Sequence, residues 1–115
     1  MFQIEQPVIA QGASISQVIP IGDVSKSDGA AFQCPAALTG TTITIKVSDR
    51  VGEAAADHVD ALVTANSGAI STFTFVANKS FNIPDEVFNH RSMVFVSNSS
   101  EAAARTFALN VKPMV

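Results

Sequence analysis

The chain contains no tryptophan and no tyrosine; all eight of its aromatic residues are phenylalanine. Trp and Tyr dominate transient binding hot spots and sugar platforms, because one end of each side chain tolerates water. Their absence counts against a carbohydrate-binding or antibody-like surface and assigns the phenylalanines to a core. Cysteine occurs once, at Cys34, which excludes an intramolecular disulfide and a multi-cysteine zinc site. Charge is scarce as well: 15% of the residues are charged, against about 25% in ordinary domains. The net charge is −3 and the seven Lys and Arg are scattered. Phosphate binding needs clustered cations, so nucleic acid is not expected as a partner. No apolar run approaches the ~18 residues of a membrane-spanning helix, so no membrane partner is expected. The opening Met1-Phe2-Gln3-Ile4-Glu5 lacks both the basic and the apolar part of a signal peptide. The expectation is a soluble protein made in a reducing cytoplasm.

What replaces charge is Ser, Thr, Asn and Gln, set against 47% hydrophobic residues. That composition is too apolar and too neutral for a disordered chain. At 115 residues the chain has room for one domain, with enough buried surface to hold a core without staples.

Period-two alternation dominates the pattern. In Thr42-Ile43-Thr44-Ile45-Lys46-Val47-Ser48 the aliphatic residues face one way and Thr and Lys the other, which describes a half-buried strand built from β-branched residues. Residues 92–97 and 105–112 read alike, the latter with Phe107, Leu109 and Val111 on one face. Residues 70–76 put Phe73 and Phe75 on one face, and 30–34 form a shorter run. Residues 14–21 place Ile15, Ile19 and Ile21 together; residues 2–9 are a weak edge strand broken by Pro7. Ser27-Asp28-Gly29, Leu38-Thr39-Gly40, Asn66-Ser67-Gly68 and Asn98-Ser99-Ser100 supply turns. Pro84-Asp85-Glu86-Val87-Phe88 reads as one helical turn with Pro at its start.

The expected fold is therefore all-β: a single-domain β-sandwich or jelly roll of about seven or eight strands. Residues 1–13 form an N-terminal arm or edge strand, and residues 14–115 the β-sandwich domain. Residues 52–64 are ambiguous. Their alanines have helical propensity, but a strand from Val59, hairpinned through Asn66-Ser67-Gly68 to residue 70 onward, has a neighbour ready to pair. Residues 101–104 read as a loop with a helical bend. The expected core is Phe32, Ile43, Ile45, Val47, Phe73, Phe75, Phe95, Phe107 and Leu109.

Chemistry is harder to find. The glycines are isolated, so there is no phosphate-cradling loop. Asp57-His58-Val59-Asp60 is the densest set of possible ligands. On a strand its two carboxylates point to opposite faces, so it reads as a solvated loop and not a metal site. Cys34 shares strand parity with Phe32 and precedes Pro35, which describes a buried structural thiol and not a nucleophile. Asp85 and Glu86, adjacent at the start of a helical turn, favour its positive end. Asn89-His90-Arg91 reads as a polar loop. No catalytic residue, cofactor or metal is expected, and the chain is not expected to be an enzyme.

Several segments, taken in order, resemble small β-rich structural proteins of tailed bacteriophages. Residues 9–23, Ile-Ala-Gln-Gly-Ala-Ser-Ile-Ser-Gln-Val-Ile-Pro-Ile-Gly-Asp, resemble their opening turn and Ser-flanked strand. Pro35-Ala36-Ala37-Leu38-Thr39-Gly40 with residues 42–49 resembles their Met-Pro-Ala-Ala-Trp and Leu-Thr-Phe-Gln-Val-Ser segment, Leu38 standing where an aromatic is more usual. Residues 81–88 resemble their Ala-Leu-Asp-Pro-Ala-Asp-Phe segment, and residues 91–97 the strand after it. Ala102-Ala103-Ala104-Arg105-Thr106-Phe107-Ala108-Leu109 resembles their closing Ala-Ala-Arg-Thr-Leu-Thr-Leu. Residues 51–58, rich in Ala, depart from the family's Gly-Gly-Thr-Thr-Tyr hairpin. The resemblance implies a virion protein on the capsid exterior: a decoration or cement protein, often a dimer or trimer, that bridges major capsid subunits without enzyme activity or cofactor. Alternatives are a tail, adaptor or head-fibre component, or a non-viral binding module. If residues 1–13 are an arm, Phe2, Ile4, Val8 and Ile9 are its candidate anchors onto a partner, by strand addition.

Overall fold

The computed structural model describes the backbone alone of residues 2–5, 27–30 and 111–113, and backbone with side chains for 6–20, 31–60, 72–83, 87 and 89–110. Among these residues the chain is all-β, with no α-helix. In chain order the strands are β1 (Phe2–Glu5), β2 (Val8–Ile9), β3 (Ile19–Pro20), β4 (Ser27–Gln33), β5 (Thr42–Ser48), β6 (Val59–Asp60), β7 (Thr72–Thr74), β8 (Ser80–Ile83), β9 (Ser92–Ser97), β10 (Arg105–Thr106) and β11 (Ala108–Pro113).

Two larger antiparallel sheets share one core. The first has the order β1-β11-β4-β8; the second has the order β3-β9-β5-β6, with β7 also on β5. In the second sheet Ile43, Ile45 and Val47 lie opposite Ser97, Phe95 and Met93. Their alternation turns them inward, where all six are buried. In the first sheet Phe32 stands between Leu109 and Phe81. Its ring meets those of Phe95 and Phe73 edge-on, at centroid distances of 4.9 and 5.1 Å. Such aromatic pairs contribute about 0.5–1.5 kcal/mol each beyond their buried area. Phe107 joins them 5.4 Å from Phe95. One side is closed by the β10–β2 ribbon: Ile9 pairs with Arg105, bridges to Ser16, and Ser16 donates its amide to Phe95 on β9.

The expected core is present. Seven of its nine members are buried and the remaining two, Phe73 and Phe75, are half-buried and packed against the others. Ile9, Ile19, Cys34, Ile83, Val87 and Met93 complete it among the described residues.

Several expectations need correction. Among the described residues there are eleven strands where about seven or eight were expected, because β2, β3, β6 and β10 are two-residue pairings too short to carry a period. Ser27-Asp28-Gly29 is no turn: it begins β4, held by pairing out to Ser27 opposite Pro113. The run 105–112 breaks at Phe107, whose amide donates to the Pro7 carbonyl at 2.8 Å. β6 and β7 do not hairpin onto each other among the described residues. Each pairs with β5, β6 at Lys46–Val47 and β7 at Thr42–Thr44, end to end along one edge. Residues 52–60 are neither one helix nor one strand, but a 3-10 turn at Ala55–Asp57 followed by β6. Ile21, residues 61–71 with their expected Asn66-Ser67-Gly68 turn, and all of 84–88 except Val87 lie outside the described residues.

Candidate functional site

Of the expected anchors, Phe2 and Ile4 are described by backbone alone, Val8 and Ile9 with their side chains. The described backbone of the N-terminal stretch forms two paired strands, β1 and β2. β1 pairs with β11, Phe2 opposite Val111, so Phe2 and Ile4 lie on the sheet's border strand. Val8 is half-buried opposite Thr106. Ile9 is wholly buried in the core and cannot reach a partner in this conformation. The sequence marks Ile9 as apolar without distinguishing an arm's anchor from a core residue; the Arg105 pairing decides it.

The most densely hydrogen-bonded carboxylate among the described residues is one that sequence reading passed over. Glu101, 1% exposed, follows the Asn98-Ser99-Ser100 turn and spends its carboxylate entirely inside the protein. Oε1 accepts from the Thr39 amide at 2.8 Å and from Arg105 Nε at 2.9 Å. Oε2 accepts from the Gly40 amide at 3.0 Å and from Ser97 Oγ at 2.7 Å. Its own amide donates to the Ala13 carbonyl, and its carbonyl accepts from Gly12. Burial alone would push this carboxyl's pKa up. The Thr39, Ser97, Gly40 and Arg105 donors overcome that and hold it down at about 2. A carboxylate so fully occupied has nothing left for a substrate or a metal; it is a clasp joining three loops. Gly40 is required there by close approach, since a Cβ would collide with Ser97 Oγ and Asn98 Oδ1. The one sequence signal was the lone Glu four residues before an Arg.

His58 is a second correction. Sequence placed it in a solvated loop; it is 5% exposed. Its Nδ1 lies 2.9 Å from the Ala54 carbonyl and its Nε2 2.7 Å from Ser92 Oγ. A carbonyl only accepts, so Nδ1 donates to Ala54, and Nε2 shares the second hydrogen bond with the Ser92 hydroxyl. The imidazole thereby pins the 3-10 turn to β9. Asp57 and Asp60 are exposed, and Asp60 reaches Lys46 across the strand pair at 3.6 Å. Among the described residues no group of three His, Cys, Asp or Glu is placed to hold a metal ion. Cys34 is buried as expected, and desolvation pushes its thiol pKa up, away from a reactive thiolate.

Two clefts flank one projecting loop. Residues 50–53 turn at Gly52, whose φ of +68° suits glycine. The turn lifts Val51 to 81% exposure. On one side lies a cleft of about 490 Å³, bordered by Asp49, Arg50, Glu53, Asp57, Asp60 and His90. His90 Nδ1 sits 3.1 Å from Asp49 Oδ1. On the other side a cleft of about 300 Å³ is bordered by Val18, Pro20, Val51, Arg50, Glu53 and Arg91. The first side is acidic; the second is apolar with arginines at its rim. Strands β3, β5, β6 and β9 bring these residues together from four separate stretches of chain, so no local motif announces them.

Four threonines line one face of the β5–β7 pair. Thr42 and Thr44 stand opposite Thr74 and Thr72 across the β5–β7 pair, with Thr72 and Thr74 exposed and Thr42 and Thr44 half-buried. No family model, curated protein or solved structure matches this chain.

Proposed function

We propose that this protein is a structural component of a tailed-bacteriophage virion: a decoration or cement protein on the capsid exterior that binds major capsid subunits through surface area and not through chemistry. The observation that carries the reading is the ordered resemblance of segments 9–23, 35–49, 81–97 and 102–109, together with the way two of them meet. Thr39 and Gly40 of the second are clasped to Arg105 of the last through Glu101, across 62 residues of chain between Thr39 and Glu101. Thr39, Gly40 and Arg105 are thus framework residues at one corner of the fold.

The threonine face fits such a role. Hydroxyls cost less to desolvate than charges, so a Thr-lined strand pair can be covered by a neighbour at modest cost. A lattice that binds many copies needs only weak contacts from each. The test is copy number in purified virions. A cement protein is present in proportion to the major capsid protein, whereas a tail, adaptor or head-fibre component is present in small ring numbers. Absence from virions would overturn both.

A further inference from the structure

We propose that the apolar cleft beside loop 50–53 docks a short acidic–aliphatic segment of another protein, an aliphatic side chain entering the cleft and a neighbouring carboxylate meeting Arg91. The cleft measures about 300 Å³ and is bordered by Val51 on one side and by Val18 and Pro20, at the β3 edge, on the other. That is the small end of the ~300–1,000 Å³ over which proteins hold ligands, so it suits a side chain and not a long acyl chain. Both walls are held before anything binds. Gly52, at φ +68°, fixes the turn that leaves Val51 81% exposed. His58 pins the end of the same loop to Ser92 on β9. The Arg91 amide donates to the Ser48 carbonyl at 3.0 Å, which fixes the backbone from which the guanidinium extends. A preformed groove spares a partner the cost of ordering it.

Charge decides the occupant. Arg50, Arg91 and Glu53 line this cleft, two cations against one anion, on a chain whose net charge is −3. Glu53 lies 3.9 Å from Arg50 and offsets it. The ion pairs among the described residues are Lys46–Asp60, Arg50–Glu53, His90–Asp49 and Arg105–Glu101, so Arg91 is in none of them. Its guanidinium is the local charge left for a partner, and a guanidinium's planar fork takes a carboxylate in two parallel hydrogen bonds. A basic segment would meet Arg91 with like charge. An anionic membrane is held by clustered basic residues, whereas this cleft offers one arginine on a negatively charged protein. A peptide can present an aliphatic side chain and a carboxylate one residue apart, which matches a cleft with one charged rim. The inference rests on the cleft alone and not on the virion reading: peptide binding reads the surface and copy number reads the location, so either can fail without the other.

The experiment is a nuclear magnetic resonance titration of the nitrogen-15-labelled full chain with the blocked peptide acetyl-Asp-Leu-Asp-amide. Acetyl-Lys-Leu-Lys-amide and acetyl-Asp-Ser-Asp-amide are the controls. The acidic leucine peptide should bind with a dissociation constant of about 1–10 mM and shift the amides of Val18, Val51, Gly52 and Arg91. Each control should bind at least about tenfold more weakly, the first for its charge and the second for its missing aliphatic group. Arg91→Glu and Val51→Ser both lie at exposed positions and should leave the rest of the spectrum unchanged. Arg91→Glu should weaken the acidic leucine peptide at least about tenfold and reverse its advantage over the lysine peptide. Val51→Ser should bring it down toward the serine control. No shift at these four amides, equal binding of the three peptides, or variants that bind as the wild type does would each overturn the proposal. So would attachment to phosphatidylglycerol vesicles through the same residues that the peptide fails to displace.

Discussion

Replacing Glu101 by Gln removes a charge while keeping the shape of the side chain. Its effect can be worked from the four bonds around it. Each charge-assisted hydrogen bond has a worth of about 1.5–3 kcal/mol, so the four together would greatly exceed any net stabilisation. Burial of the carboxylate opposes them. The balance is registered by the lowering of the carboxyl pKa from 4.5 to about 2, which corresponds to about 3 kcal/mol of stability at neutral pH. The folded-state pKa lies below the unfolded one. This stability is therefore fully present above about pH 4.5 and lost as pH falls toward 2. Gln cannot reproduce it, because one of its two polar atoms is a donor facing the Gly40 and Ser97 donors or the Thr39 and Arg105 donors. Urea unfolding of wild type and Glu101→Gln should differ by about 3 kcal/mol near neutral pH. The gap should narrow steadily between about pH 4.5 and 2, whatever the other carboxylates do in both proteins. A gap independent of pH, or no gap at neutral pH, would refute the argument that the ionised carboxylate is the clasp.

Gly40→Ala should destabilise by about 1–3 kcal/mol in the same assay, because the added methyl would force apart Ser97 and Asn98; an unchanged midpoint would show that the loops yield freely. Phe107→Ala should cost about 3–5 kcal/mol, since the ring is wholly buried against Phe32 and Phe95. Ile9→Ala should cost about 2–5 kcal/mol as a core truncation does, whereas an anchor on a detached arm would leave the stability of the isolated protein unchanged. Cys34 should react with a thiol reagent far more slowly in the native protein than in denaturant, its thiol being buried with a raised pKa.

How far the fold was legible depended on strand length. β5 and β9 begin and end where alternation and turn residues place them, at Thr42–Ser48 and Ser92–Ser97. Seven-residue and six-residue runs contain enough alternations to define a face. β4 was half legible: its alternation is clear near Phe32, but Asp28-Gly29 has turn chemistry that pairing with β11 overrides. β2, β3, β6 and β10 have two residues each and exist because a longer neighbour offers hydrogen-bond partners, a tertiary cause that leaves no periodic trace. The polar sites were less legible for a related reason. Glu101 and His58 each look solvated locally; only distant donors, Thr39 and Gly40 for one and Ser92 for the other, make their burial affordable. The apolar cleft beside loop 50–53 draws on Val18, Val51 and Arg91, which nothing but folding brings together.

Co-sedimentation with capsids tests the central claim most directly. Phage heads lacking this protein are mixed with the purified full-length chain and pelleted, and the bound fraction is measured as the protein is titrated. The account predicts saturable binding in fixed proportion to the major capsid protein, with loaded heads surviving heating that bursts unloaded ones, because a ligand of the assembled lattice stabilises that state by its binding free energy. Failure to bind heads, or binding to tails alone, would contradict it.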